Sequence, residues 1–415
     1  MGAQGGPDTQ PGSCGDRTSG APELPRVEGV VLAGVHAWGE CVLESITCRP
    51  LFPVAGWPLI SHTLAWLREG GVGKINICAN SDTGALRKCL GGGEALNVNL
   101  HYYEDKMPRG PAGCTRDAVA SSSMDAFLVV EGTLVPEVDI AELLEAHRAS
   151  GSILTVVVSE SDRVPRDAST ACRPDRLEPT GIYVFSRDAL AHVSSAGYQD
   201  IKESLIPRLH AQGLRVGTYL VRAAANPRVT NAASYMAVSK WAIERLAARH
   251  EAPEGYVRLE GALIHESARL DGQARFIGPV LIGPHCRIEE DALIVGPTCV
   301  GEGCTIGRDA VVSRSVLWDH CQVGAKATLD HCILTNGARV LPEAVVRETV
   351  CLARSERRGL RETIRSFFRR SAEPKRSVSY VPAAGPSLPL AKSRSANVRT
   401  DARRSGVSGN PIIRK

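Results

Sequence analysis

"IHESARLDGQARFIGPVLIGPHCRIEEDALIVGPTCVGEGCTIGRDAVV", residues Ile264–Val312, divides into hexads. An apolar residue opens each one: Ile264, Leu270, Phe276, Ile282, Ile288, Ile294, Val300, Ile306 and Val312. Four residues beyond each stands a small or β-branched residue: Ala268, Ala274, Val280, Cys286, Ala292, Thr298, Cys304, Ala310 and Val316. After a one-residue slip the series resumes at Leu317, Val323 and Leu329, and after a second slip at Leu334, Val340 and Val346. A period of six belongs to neither an α-helix nor a flat strand. It is the hexapeptide repeat of a left-handed parallel β-helix, whose stacked coils bury one continuous core. Three hexads make a coil, so residues 264–346 hold roughly four to five.

The period also assigns the cysteines. The chain has 13, an odd number, with no C-x-x-C pair, which fits free thiols in a reducing, cytoplasmic setting. Cys299 and Cys304 are spaced like half of a metal site, but Cys286, Cys304 and Cys321 fall at inward small positions, where cysteine packs as a small hydrophobe. No metal ligand is assigned.

Upstream, from about Val27 to Ala225, apolar runs alternate with helical patterns. "GVVLAG", "KINICAN", "AFLVVEG" and "ILTVVV" read as strands. "PLISHTLAWLREGGV" reads as a helix with Leu59, His62 or Thr63, Trp66 and Leu67 on one face, and "DIAELLEAHRASG" as a helix closed by Gly151. Continuously apolar strands joined by helices predict a mostly parallel sheet covered on both faces. "ASYMAVSKWAIERLAARH" reads as a single helix with Tyr235, Val238, Trp241 or Ala242, and Leu246 inward. The expected organisation is a disordered leader (1–26), an α/β domain (27–232), a linker helix (233–255), a β-helix (256–350) and a tail (351–415).

The chain's 415 residues and 43% hydrophobic content suit a soluble two-domain protein, and no run of apolar residues is long enough for a membrane span. The leader is polar and Gly/Pro-rich, without a secretion signal's apolar core. A net charge of +4 conceals +12 on residues 354–415 and −8 on the rest. Within that tail, Leu360, Ile364, Phe367 and Phe368 share a face flanked by Arg357, Arg358, Arg361, Arg365, Arg369 and Arg370. This predicts a basic amphipathic helix over about 357–376, suited to an anionic membrane surface or to docking on the acidic body. Nucleic acid is disfavoured, because no recognised fold presents the charge.

Residues Leu32–Ile60, "LAGVHAWGECVLESITCRPLFPVAGWPLI", align without a gap to the opening signature of the sugar-phosphate nucleotidyltransferases, the nucleotide-sugar pyrophosphorylases. Leu32, Ala33 and Gly34 match, as do Pro50, Leu51, Pro53–Gly56 and Pro58–Ile60. "YYEDKMPRGPAGCTRDA" resembles the family's base-binding segment, and "FLVVEG", "TGIYVFS" and "QDIKESLIPRL" resemble later elements. The resemblance covers about residues 27–350. It implies a Rossmann-like nucleotidyltransferase domain before the β-helix. It also implies a reaction of a nucleoside triphosphate with a sugar 1-phosphate, releasing pyrophosphate, with Mg²⁺ as cofactor if the chain is active. The nucleotide-binding positions carried over are Leu32, Ala33, Gly34, Gly110, Pro111, Ala112 and Gly113. Arg49 falls at the signature lysine and is the candidate catalytic residue.

Other family positions have changed. Val35, His36 and Ala37 stand in the glycine cradle, and Gly39 stands at the triphosphate arginine. The metal-binding aspartates fall at Thr133 and, in a looser alignment, near Arg228. The family's sugar-binding Glu-Lys-Pro segment has no counterpart. These departures favour a catalytically degenerate paralogue that binds a nucleotide or nucleotide sugar. Such a chain is expected to be a homo-oligomer, or to pair with an active pyrophosphorylase through its β-helix. An active enzyme of the mannose-1-phosphate guanylyltransferase type, with a site rebuilt from Glu40, Glu44, Glu104, Asp105 and Glu131, is the alternative. A hexapeptide acyltransferase is a third reading, which would need one of His265, His285, His320 and His331 to reach a cleft between coils.

Overall fold

In a computed structural model, the described residues are 26–34, 41–80, 83–160, 177–221 and 226–353. The leader up to residue 25, residues 35–40 with His36 and Trp38, and the basic tail from 354 lie outside them.

Seven strands form the first sheet: β1 (Val27–Leu32), β2 (Lys74–Ala79), β3 (Asn99–Glu104), β4 (Ala126–Glu131), β5 (Leu154–Glu160), β6 (Leu177–Ser186) and β7 (Val216–Val221). Their order is β3-β2-β1-β4-β6-β5-β7. Only β6 runs antiparallel to its neighbours. Strand residues alternate between faces, so Val31, Ile77 and Val130 join one core while Val30, Phe127 and Val129 join the other. Helices α1 (Leu59–Glu69), α2 (Thr83–Leu90) and α4 (Ile140–Ser150) contribute to the first core. Helix α3 (Gly110–Ala118), with Leu205 and Leu209, contributes to the second. This is the predicted Rossmann-like sheet.

Local chemistry sets the helix ends. Asp139 caps α4 by accepting from the Glu142 amide at 2.9 Å, and Gly151 closes it in the left-handed region at φ 60°. On α1 the inward alternatives resolve to Thr63, which donates to the Leu134 carbonyl at 3.0 Å. From "QDIKESLIPRL" the chain first makes a π turn, Ile201–Leu205, and then helix α5, Ile206–Ala211.

The second body is a parallel β-helix. Ile264, Ile282, Val300, Leu317 and Leu334 stack in one inward column. Successive members are 18, 18, 17 and 17 residues apart, so the two sequence slips shorten the later coils. The slips fall earlier than the hexad series suggests. At the first, Ser315 rather than Val316 takes the buried small position beside Thr298, and Val316 packs outward. Cys286, Cys304 and Cys321 all lie in the coil core. Cys299 lies on the outer side of its strand, so it cannot share a metal with Cys304. His285, Gly303, His320 and Gly337 form a column of left-handed corners, with φ of 55° to 70°.

Helix α6 (Ala232–Ala248) joins the bodies, held at its start by a reciprocal cap between Asn231 and Ser234. Its buried face carries Tyr235, Val238, Ala242 and Leu246, with Ala242 inward instead of Trp241. That face packs on Leu263, Leu281, Cys299, Val316 and Ile333, the outward side of one β-helix face.

Candidate functional site

The carboxyl ends of β1, β2 and β4 meet where the strand order reverses, the place at which open α/β sheets bind ligands. A cavity of about 500 Å³ opens there. Leu32, Gly34, Ala79, Asn80, Glu131 and Thr133 line it from the strand ends, and Gly110 and Pro111 from the start of α3. Arg49 reaches it from the short turn Arg49–Leu51.

Leu32, Gly34, Arg49, Gly110 and Pro111 thus share one cavity, while Ala33, Ala112 and Gly113 are buried behind it. The backbone donors there are largely committed. The amides of Ala33 and Gly34 both donate to the Cys78 carbonyl, at 2.8 and 3.1 Å. At the start of α3 the Ala112 amide donates to the Gln199 carbonyl at 3.0 Å. Gly110 is required: its φ is 74°, and a Cβ would run into the Gln199 backbone.

Arg49 is 4% exposed. Its Nε lies 2.6 Å from Glu44 Oε1, an ion pair by distance, but the approach is too misaligned for a hydrogen bond. Its buried Nη2 has no hydrogen-bond acceptor among the described residues. A buried guanidinium nitrogen left without an acceptor is a costly feature for a fold to keep.

The metal positions are occupied differently from the family pattern. Thr133 and Arg228 are neighbours: the Val229 amide donates to the Thr133 carbonyl at 3.0 Å, and Leu134 bridges to Arg228. The Arg228 guanidinium pairs with Glu131, Nη1 to Oε2, at 2.9 Å, and Nη2 donates to the Thr180 carbonyl at 2.5 Å. Mg²⁺ needs oxygen ligands, usually carboxylates, and a fixed cation on the carboxylate at the end of β4 opposes it. These residues do not fit the metal. Among the described residues, no cluster of three or more His, Cys, Asp or Glu could hold one.

Several lining residues had no motif to mark them. Asp200 caps the π turn by accepting from the amides of Lys202 and Glu203 at 2.6 and 2.8 Å, which brings Lys202 to the cavity. Tyr183 lies under Glu131; burial, then the carboxylate's charge, pushes its phenol pKa up. On the cavity wall the Cys78 thiol donates to the Cys114 carbonyl at 3.9 Å, and hydrogen bonding with Cys114, followed by burial, raises the Cys78 thiol well above its usual range.

Two family models match the chain: Nucleotidyl transferase over residues 43–167 and GMPPB C-terminal domain over residues 260–357. A mannose-1-phosphate guanylyltransferase of Mycobacterium tuberculosis is 24% identical over 204 residues, covering 45% of this chain and 56% of that protein. This chain therefore matches only about half of that relative's length. A probable mannose-1-phosphate guanylyltransferase 3 of rice is 24% identical across 73% of this chain and 92% of its own length. The mannose-1-phosphate guanylyltransferase regulatory subunit alpha of Drosophila melanogaster is 28% identical across 28% of this chain and 29% of its own. With the sheet and the β-helix in that order along the chain, these matches support a member of the sugar-phosphate nucleotidyltransferase family.

Proposed function

We propose that this chain binds a nucleotide sugar in the sheet-edge cavity and does not run the pyrophosphorylase reaction, acting instead as a regulatory member of its family. The charge of the lining carries this reading. Among the described lining residues, three cations, Arg49, Lys202 and Arg228, face three carboxylates, Asp105, Glu131 and Asp200. A triphosphate with its reacting partner needs excess positive charge or a metal to offset phosphate repulsion. A neutral lining with threonine at position 133 supplies neither. The diphosphate of a nucleotide sugar carries less charge, and Arg49, whose buried Nη2 has no acceptor among the described residues, lines the cavity that would hold it.

The names of the relatives suggest guanine and mannose as base and sugar, and the Drosophila relative's name suggests that the partner is a catalytic subunit. An active enzyme is the second reading, favoured by the three carboxylates at the cavity, which would have to hold Mg²⁺ in a rearranged set. Calorimetry with GDP-mannose and with GTP plus magnesium separates the two. Tighter binding of GDP-mannose by roughly tenfold or more, about 1.4 kcal/mol, is expected. Tighter binding of GTP with magnesium would favour the enzyme.

A further inference from the structure

We propose that Arg228 takes the place of a divalent cation, so that the cavity binds the diphosphate of a nucleotide sugar without metal; this rests on the reading just given. The guanidinium is held from three sides. Glu131 Oε2 forms an ion pair with its Nη1 at 2.9 Å, and the Thr180 carbonyl accepts from its Nη2 at 2.5 Å. The third side is Gly181, at φ 91°, where a Cβ would overlap both Arg228 Nη2 and the Glu131 carboxyl. The chain thus keeps a slot at Gly181 that only glycine leaves open. The bridge between Leu134 and Arg228 fixes the backbone behind it.

A guanidinium carries five N–H donors and a charge that does not titrate. Two directions of the fork go to Glu131 and Thr180, while the side chain remains 28% exposed and lines the cavity. The uncommitted donors give a fixed receptor for phosphate oxygens. Glu131 here orients the cation and partly cancels it. In a metal site the same carboxylate would be a ligand. The two roles predict opposite effects of removing its charge.

The test is the affinity for GDP-mannose in EDTA and in saturating magnesium, for the wild-type chain and for Glu131→Gln, Arg228→Met and Arg228→Lys. Thermal midpoints show which variants are folded. The expected result is equal wild-type affinity in both conditions, Glu131→Gln binding as tightly or more tightly, and Arg228→Met weakened roughly tenfold. Arg228→Lys, which keeps the charge, should bind more tightly than Arg228→Met. Binding that EDTA abolishes, or that Glu131→Gln weakens as a lost ligand would, overturns the proposal and leaves nucleotide-sugar binding standing. No binding in either condition overturns both. The comparison of wild-type protein with and without metal is decisive even if no variant folds.

Discussion

The indole N–H of Trp318 donates to the phenol oxygen of Tyr235 at 2.9 Å, and Tyr235 in turn donates to the Pro53 carbonyl at 2.5 Å. Trp318 belongs to the β-helix, Tyr235 to α6, and Pro53 to the segment that follows Arg49. The Phe52 ring packs against both aromatics, at centroid distances of 5.5 and 5.7 Å. This relay ties the repeat domain to the stretch that carries Arg49 into the cavity. Tyr235→Phe keeps the ring but leaves a buried indole N–H and the half-buried Pro53 carbonyl without that partner. It should cost about 1–3 kcal/mol in urea unfolding. A loss below about 0.5 kcal/mol, the level of a surface change, would show that the relay is not structural.

One buried and one half-buried histidine set a pH dependence. His147 lies between the hydroxyls of Thr155, at 2.7 Å, and Ser186, at 3.0 Å, and His62 bonds to the Val54 carbonyl at 3.0 Å. Burial is the main cause that lowers the pKa of each. The unfolded chain therefore binds protons first. The stability these groups contribute is fully present above about pH 6.5 and falls away as pH drops toward their folded values. Unfolding free energy should fall between about pH 6.5 and 5, and His147→Gln should flatten that slope. An unchanged slope would mean that the fold does not lower the His147 pKa.

Arg49 tests the binding reading at a second point. If Nη2 receives the phosphate, Arg49→Ala should weaken GDP-mannose binding by about 1.5–3 kcal/mol, the range for a charged hydrogen bond. Arg49→Lys restores the charge but not the fork and should recover part of the loss. Equal affinity in Arg49→Ala would make Arg49 a structural partner of Glu44.

Much of the fold is legible because its signals are periodic. The six-residue series fixes the coil columns of Ile264 through Leu334, and continuous apolar runs such as Phe127–Val130 mark strands covered on both sides. The slip position is less legible. Val316 and Ser315 are both small enough for the corner, and the choice depends on α6 covering the outer face. Site residues split in the same way. Arg49 and Gly110 lie inside motifs with fixed spacing. Asp200 and Lys202 reach the cavity only because the π turn follows a cap, and no spacing in the sequence announces it. The Glu131–Arg228 pair joins residues far apart in the chain through a single β-bridge, which only the folded backbone reveals.

The central claim is that the cavity keeps a nucleotide-sugar site and has lost the transfer reaction. The direct measurement is pyrophosphate release from purified full-length protein, supplied in turn with each nucleoside triphosphate, mannose 1-phosphate or glucose 1-phosphate, and magnesium. The account predicts no release above the protein-free rate for any pair, in a preparation that still binds GDP-mannose. Release that scales with protein and disappears with EDTA would contradict it.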